Sequence, residues 1–262
     1  MKVVLFCGGL GMRLREFSEN TPKPMVPIGH RPILWNLMKY YAHFGHKDFV
    51  LCLGHNSHVI KDYFLNYDEC LSNDFVLESG KTQLIKTDIH DWKITFAETG
   101  LHSNIGMRLK AVEKYLADLG PEDMFLANYS DGLSDAPFDQ MLDFFKASGK
   151  TACFLCVKPQ QTFHYVHLDQ DGTVQSIQDT TNTGLTVNGG YFIFKKKIFD
   201  YIRPGEELVH EPFERLIKDN QLIAYQYDGF WKCMDTFKDK QTFDELYTSG
   251  KCPWQVWKQD SI

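Results

Sequence analysis

The chain predicts an α/β fold: a mostly parallel mixed sheet covered by helices on both faces, with a small antiparallel extension. Two observations carry this. Over residues 3–157, short apolar runs rich in strand formers alternate with stretches whose apolar residues recur at helical spacing, the pattern of strand–helix–strand units. From residue 163 the runs become shorter extended segments joined by turn residues, as in antiparallel hairpins. At 262 residues the chain can bury a full α/β core in one continuous domain.

The first run, residues 3–7, is too short to span a membrane and leads straight into Gly8, Gly9 and Gly11. Pro32 opens a helix over 33–44, with Ile33, Leu34, Leu37, Met38 and Tyr41 at helical spacing and Gly45 just beyond. A strand at 49–53 and a helix at 59–67 continue the alternation. Residues 72–99 break it, with candidate strands at 75–77 and 92–97, and read as an excursion framing part of a ligand pocket. A helix at 104–116, a buried strand at 124–129, a helix at 138–148 and a strand at 152–157 come next. Asp171-Gly172 joins extended runs at 163–168 and 174–179, a hairpin signal. The next strand, 185–194, contains Gly189 and Gly190. Paired glycines weaken a strand and suggest a ligand or backbone passing close. Helices at 196–201 and 212–219, a strand at 222–227 and a helix at 237–247 complete the body. Trp254 and Trp257 in the tail imply packing against the body or a neighbouring subunit. The sum is a Rossmann-like arrangement.

The glycine turn has the chemistry of a phosphate cradle. Glycines let backbone N–H groups approach an anion, and Arg13 and Lys23, the latter between Pro22 and Pro24, flank the same loop. No Gly-Lys-Ser or Gly-Lys-Thr comes after it, so this is not a P-loop. Leu14 stands where a dinucleotide fingerprint has its third glycine, and the second strand ends in Gly54-His55 without an acidic residue. NAD binding is therefore disfavoured.

Composition sets further bounds. The net charge of −6 argues against general nucleic-acid binding. The absence of a charged-then-apolar leader and of a long apolar run leads us to expect a soluble, cytoplasmic protein without membrane contact. Seven cysteines is an odd count, and Cys7, Cys52, Cys153, Cys156 and Cys233 lie in apolar or strand-like surroundings, as buried thiols in a reducing compartment do. Cys153 and Cys156 have no second pair to complete a zinc or redox site.

The motifs GGLGMRL and TPKPMVPIGHRPIL, then VIKDYF at 59–64, YSDG at 129–132, VNGGYF at 187–192 and FWKCMDT at 230–236, run through essentially the whole chain. Together they resemble the sugar-phosphate nucleotidyltransferases, and within them the glucose-1-phosphate cytidylyltransferases. The resemblance implies the nucleotide-diphospho-sugar transferase type of fold. Residues 1–160 would form the nucleotide-binding core. Residues 161–262 would form an acceptor-binding and metal-completing part with a C-terminal helical tail. It also implies a homo-oligomer acting in nucleotide-sugar biosynthesis for cell-surface polysaccharide.

The implied reaction is transfer of CMP from CTP to a phosphorylated acceptor, glucose 1-phosphate or a related sugar 1-phosphate, with release of pyrophosphate. An attacking phosphate is already anionic, so cations, backbone N–H groups and a metal seat are needed instead of a strong base. The resemblance assigns Asp131 and Asp235 to Mg2+, Arg13 to the β/γ-phosphates and Lys23 to the α-phosphate. Gly8, Gly9, Leu10, Gly11, Ser130 and Arg108 would complete the nucleotide contacts, and Asn188 and Glu211 the acceptor contacts. The acceptor half departs from the family. Where members have Glu-Lys-Pro this chain has Gln178-Asp179-Thr180-Thr181, and bulky His164 and Tyr165, which would join the acceptor contacts, replace a glycine and its small neighbour. Lys158, Lys195, His164 and His167 are candidates to replace the missing lysine. A non-sugar phosphorylated acceptor and a non-catalytic nucleotide-binding regulator remain the alternatives.

Overall fold

A computed structural model describes residues 1–9, 21–159, 164–179 and 184–261, with side chains through Lys258. In chain order the strands are β1 (Lys2–Phe6), β2 (Pro27–Ile28), β3 (Arg31–Pro32), β4 (Asp48–Leu53), β5 (Phe75–Glu78), β6 (Lys81–Leu84), β7 (Lys93–Glu98) and β8 (Met124–Asn128). They continue with β9 (Gly132–Ser134), β10 (Ala152–Val157), β11 (His164–Leu168), β12 (Val174–Asp179), β13 (Val187–Lys195), β14 (Leu222–Tyr227) and β15 (Trp231–Cys233). The α-helices are α1 (Ile33–His43), α2 (Ser57–Leu65), α3 (Ile105–Val112), α4 (Phe138–Ser148), α5 (Glu211–Lys218) and α6 (Phe237–Thr248).

Seven strands form the central sheet in the order β14-β10-β13-β8-β1-β4-β7. All neighbours are parallel except β13, which runs antiparallel to both β8 and β10. The sheet is mixed and mostly parallel, as expected, and it draws strands from both halves of the chain. Alternate residues of β1 serve opposite faces. Val3 and Leu5 join a core with α1, α4 and the tail, while Val4 and Phe6 join one with α3 and α5. Trp254 is fully buried, edge-on to Phe243, so the tail packs on the body.

The reading of residues 72–99 as an excursion is corrected in two places. Residues 92–97 belong to the sheet itself: β7 lies parallel to β4 as the edge strand. Residues 75–84 form an exposed β5–β6 hairpin, remote from the cavity at the ends of β1 and β8. The helix expected at 196–201 forms with those bounds, as a 3-10 helix.

The β11–β12 hairpin forms around Asp171-Gly172, with Gly172 at φ +87°. Among the described residues it is a separate two-stranded ribbon outside the central sheet.

Candidate active site

A cavity of about 360 Å³ opens where β1 and β8 end, lined by Gly8, Gly9, Lys23, Arg108, Tyr129 and Asp131 among others. In an open α/β sheet, the carboxyl ends of the strands are where a ligand crevice forms. The loop is held by Arg108. Its guanidinium donates to the carbonyls of Gly8 (2.9 Å) and Leu53 (3.1 Å) and to Thr99 Oγ1 (2.8 Å). A Cβ on Gly8 would lie 2.1 Å from Arg108 Nη1, so a side chain there would displace the guanidinium that holds the loop. Leu10, Gly11 and Arg13 lie outside the described residues.

Arg108 has a structural role beside the expected nucleotide contact. It comes from α3, is 3% exposed, and spends its donors on carbonyls and a hydroxyl. It is first of all the brace of the glycine loop, with its guanidinium forming part of the cavity wall.

Lys23 begins a single 3-10 turn whose entry is set by Pro22 and continued by Pro24, so its backbone has little freedom. Its Nζ donates to Asp131 Oδ2 at 2.7 Å and to Asp235 Oδ1 at 2.5 Å. Burial opposes the ammonium charge, yet the two carboxylates outweigh it and hold the lysine above its ordinary pKa. For Asp131 burial is the largest influence and leaves its pKa raised, although Lys23 pulls against it.

The two aspartates meet because a short antiparallel ladder places them. Trp231, Lys232 and Cys233 pair with Ser134, Leu133 and Gly132, and Met234 N–H then donates to the Asp131 carbonyl at 2.8 Å. Asp235 comes immediately after, and α6 starts beyond it with a capping box between Thr236 and Asp239. Asp239 also accepts from Asp235 N–H at 3.2 Å and pairs with Lys232 at 3.0 Å. Cys233 Sγ donates to Asp235 Oδ2 at 3.4 Å, and burial pushes this thiol's pKa up to about 12.

The donor set suits a hard divalent ion. Two carboxylates already converge on one cation, the Lys23 ammonium, and ions such as Mg2+ take one or two carboxylates plus substrate phosphates. Among the described residues no group of three or more His, Cys, Asp or Glu is placed to hold a metal. The protein would thus contribute the two aspartates, with substrate oxygens and water completing the shell.

Other expected residues lie elsewhere. Ser130 is fully buried in a left-handed conformation (φ +66°), bonded to Asn128 and Cys7. It is a positioning residue that turns the chain into Asp131, and it stands behind the cavity. Asn188 donates to Tyr129 OH at 3.3 Å and accepts from Gly190 N–H at 2.9 Å. The glycines of β13 are explained by neighbours: a Cβ on Gly190 would lie 2.7 Å from the Tyr129 ring, and Trp231 Nε1 donates to the Gly189 carbonyl.

His164 and Tyr165 lie on the exposed ribbon, His164 facing Asp179 at 3.3 Å, and neither lines the cavity. Glu211 is the exposed first residue of α5. Four residues earlier Glu207 lines the cavity instead, accepting from Ile105 N–H at 3.3 Å. Glu207 carries no signal of its own in the sequence; Tyr129 and Trp231 fall inside the YSDG and FWKCMDT motifs, and the glycines at 189–190 indicate that something packs closely. Lys195 is excluded as the replacement cation: it pairs with Met124 at the opposite end of the sheet and binds Glu122 at 2.6 Å. Lys158 comes just after the end of β10 on the cavity side and faces Asp228 at 3.0 Å.

A family model described as nucleotidyl transferase matches residues 2–240. Glucose-1-phosphate cytidylyltransferase of Salmonella typhi is 37% identical over 98% of this chain and 100% of that protein. The probable glucose-1-phosphate cytidylyltransferase of Bacillus subtilis is 33% identical over the same shares. An apo UDP-glucose pyrophosphorylase superposes with a TM-score of 0.71 at 16% identity, covering 96% of this chain and 100% of that one. A putative glucose-1-phosphate thymidylyltransferase from Bacillus anthracis gives 0.67 at 15%, covering 94% of each. At such identities the two structures establish the fold, the nucleotide-diphospho-sugar transferase type. Fold, motifs and full-length similarity agree, and the chain belongs to the nucleotidyl transferase family.

Proposed function

We propose that this protein is a sugar-1-phosphate cytidylyltransferase, moving CMP from CTP onto glucose 1-phosphate or a close relative and releasing pyrophosphate. The observation that carries this reading is the convergence of Asp131 and Asp235 on Lys23 beside the glycine loop. The base and the acceptor come from the relatives, which are named for cytidylyl transfer to glucose 1-phosphate.

The nucleophile is a phosphate oxygen of the acceptor. It forms a bond to the α-phosphorus of CTP as the bond to pyrophosphate breaks, so no proton need be removed. Lys23, on a stiff backbone, would meet charge at the α-phosphate, and Gly8 and Gly9 would offer backbone N–H groups. Arg13 extends this to the β/γ-phosphates. Asp131 and Asp235 would hold Mg2+, which when bound supplies charge neutralisation at the reacting phosphates. Tyr129 and Glu207, which line the cavity, would contact the acceptor, with Asn188 bonded behind Tyr129, and Lys158 would stand in for the family's absent lysine. The exposed Val76 and Leu77 of the β5–β6 hairpin favour a homo-oligomer. Seven free cysteines favour a reducing compartment, the cytoplasm.

The test is pyrophosphate release with Mg2+, comparing CTP with the other nucleotides across sugar 1-phosphates and non-sugar phosphates. Turnover with CTP and a sugar 1-phosphate is expected. Turnover with non-sugar acceptors alone would replace the substrate, and none at all would remove the reaction.

A further inference from the structure

Lys23 stands where two carboxylates converge, and so where a divalent ion would be held. Its Nζ lies 2.7 Å from Asp131 Oδ2 and 2.5 Å from Asp235 Oδ1. An ion bound to the same two oxygens at about 2.0–2.1 Å would lie within about 5 Å of the ammonium. Two like charges that close repel strongly where water is scarce. The seat therefore takes one cation at a time, and the protein supplies the first one itself.

The lysine does not leave alone. Its departure uncovers two partly buried carboxylates side by side, a costly arrangement without a cation between them. The other oxygen of Asp235 already accepts from Cys233 Sγ at 3.4 Å, which leaves Oδ1 turned to the seat. Movement is nonetheless open to the side chain. Lys23, Asp131 and Asp235 keep 17%, 29% and 33% of their side-chain surface, so an ion reaches them from solvent. Pro22 and Pro24 restrain the backbone of the 3-10 turn, and the flexible four-carbon stem is then the moving part. Gly8, Gly9, Lys23 and Asp131 line one cavity, so within that space the ammonium can turn from the aspartates towards a phosphate held at the glycine loop.

We propose that Lys23 is a gate on the metal seat, a built-in cation that yields its place when a nucleotide phosphate offers it another anion. The exchange needs both ligands. A divalent ion alone meets the ammonium, and a phosphate alone would draw the lysine off two carboxylates that nothing then neutralises. Each ligand thus raises the affinity for the other, as linkage requires. The gate rests on the reading of Asp131 and Asp235 as metal ligands, and adds to it that the seat binds free ions poorly until nucleotide arrives.

The experiment measures binding of Mn2+, followed by electron paramagnetic resonance, to the full-length protein without acceptor. Wild type without nucleotide should bind Mn2+ weakly. Lys23→Met should bind it at least about tenfold tighter, and Lys23→Arg, which keeps the charge, should stay close to wild type. Lys23→Gln is the second neutral variant if K23M does not fold, and circular dichroism checks each. CMP should raise the affinity of wild type more than that of K23M, because only wild type has a cation to surrender. Cytidine, which has no phosphate, should raise neither. Equal Mn2+ affinity in wild type and the neutral variants, or binding by K23R as tight as by K23M, overturns the gate. So does an equal gain from CMP in wild type and K23M, or a gain from cytidine matching that from CMP. Asp131→Asn, alone and in K23M, separates the gate from the seat beneath it. Mn2+ binding that survives D131N shows the seat itself to be misassigned, whereas binding lost in D131N but equal in wild type and K23M removes the gate alone.

Discussion

Lys23 holds together what would otherwise repel: two carboxylates that both touch its ammonium. The roles can be separated by substitution. Asp131→Asn or Asp235→Asn should lower kcat/KM by at least about 100-fold and shift the Mg2+ dependence to higher concentration. Lys23→Met should lose about as much turnover while the Mg2+ dependence stays in place or moves lower, because a competing cation has gone. A titration of initial rate against Mg2+ for the three variants checks this; a K23M curve displaced like that of D235N would contradict the assignment. These residues are readable in the sequence because their neighbours fix them: prolines around Lys23, Gly132 after Asp131. Glu207 is not readable. Glu207 reaches the cavity only because the 203–210 segment packs on the start of α3, with Glu206 and Leu208 against Gly106, and nothing local in the sequence announces that contact.

At the scale of elements, the pairing of β9 with β15 positions the second aspartate, and the N-terminus of α6 anchors the chain on its far side. Thr236 accepts from Asp239 N–H while Asp239 receives the Thr236 N–H. Thr236→Ala should cost about 1 kcal/mol, measurable by urea unfolding, and should lower turnover more than such a loss of stability explains, because Asp235 precedes the cap directly. A variant that loses stability while keeping full kcat would show that the cap does not position the aspartate. The elements best read from the sequence, α4, β10, β12 and β14, are bounded by turn residues and carry clear periodicity. The segment at 72–99 misleads because Phe75 and Leu77 are apolar yet 43% and 67% exposed, so a strand pattern there does not report burial in the sheet.

For the whole molecule, pH acts through His46. Its Nε2 is buried without a partner and its ring lies edge-on to Phe138 at 5.3 Å. Burial, aided by the nearby Met1 amino group, lowers its pKa to about 4. In the unfolded chain the pKa is about 6.5. Between these values the unfolded chain binds the extra proton and the native state refuses it, so stability falls as pH drops from about 6.5 towards about 4. Allowing for the partial exposure of the ring, the loss is about 1 kcal/mol. His46→Gln should flatten the Tm–pH curve in that window, and an unchanged slope would assign the acid sensitivity to other groups.

The Lys23–Asp235 contact joins residues 212 positions apart, a separation with consequences in time. Contacts across so much chain form late, because their loop-closure entropy is met only after the intervening structure exists. The catalytic centre is therefore assembled late, together with the seating of the tail, whose Trp254 bonds Asn36 across 218 positions. During refolding, secondary structure followed by far-UV circular dichroism should run ahead of recovered pyrophosphate release, and a chain still emerging from the ribosome would hold folded strands of the sheet with no means yet of consuming CTP.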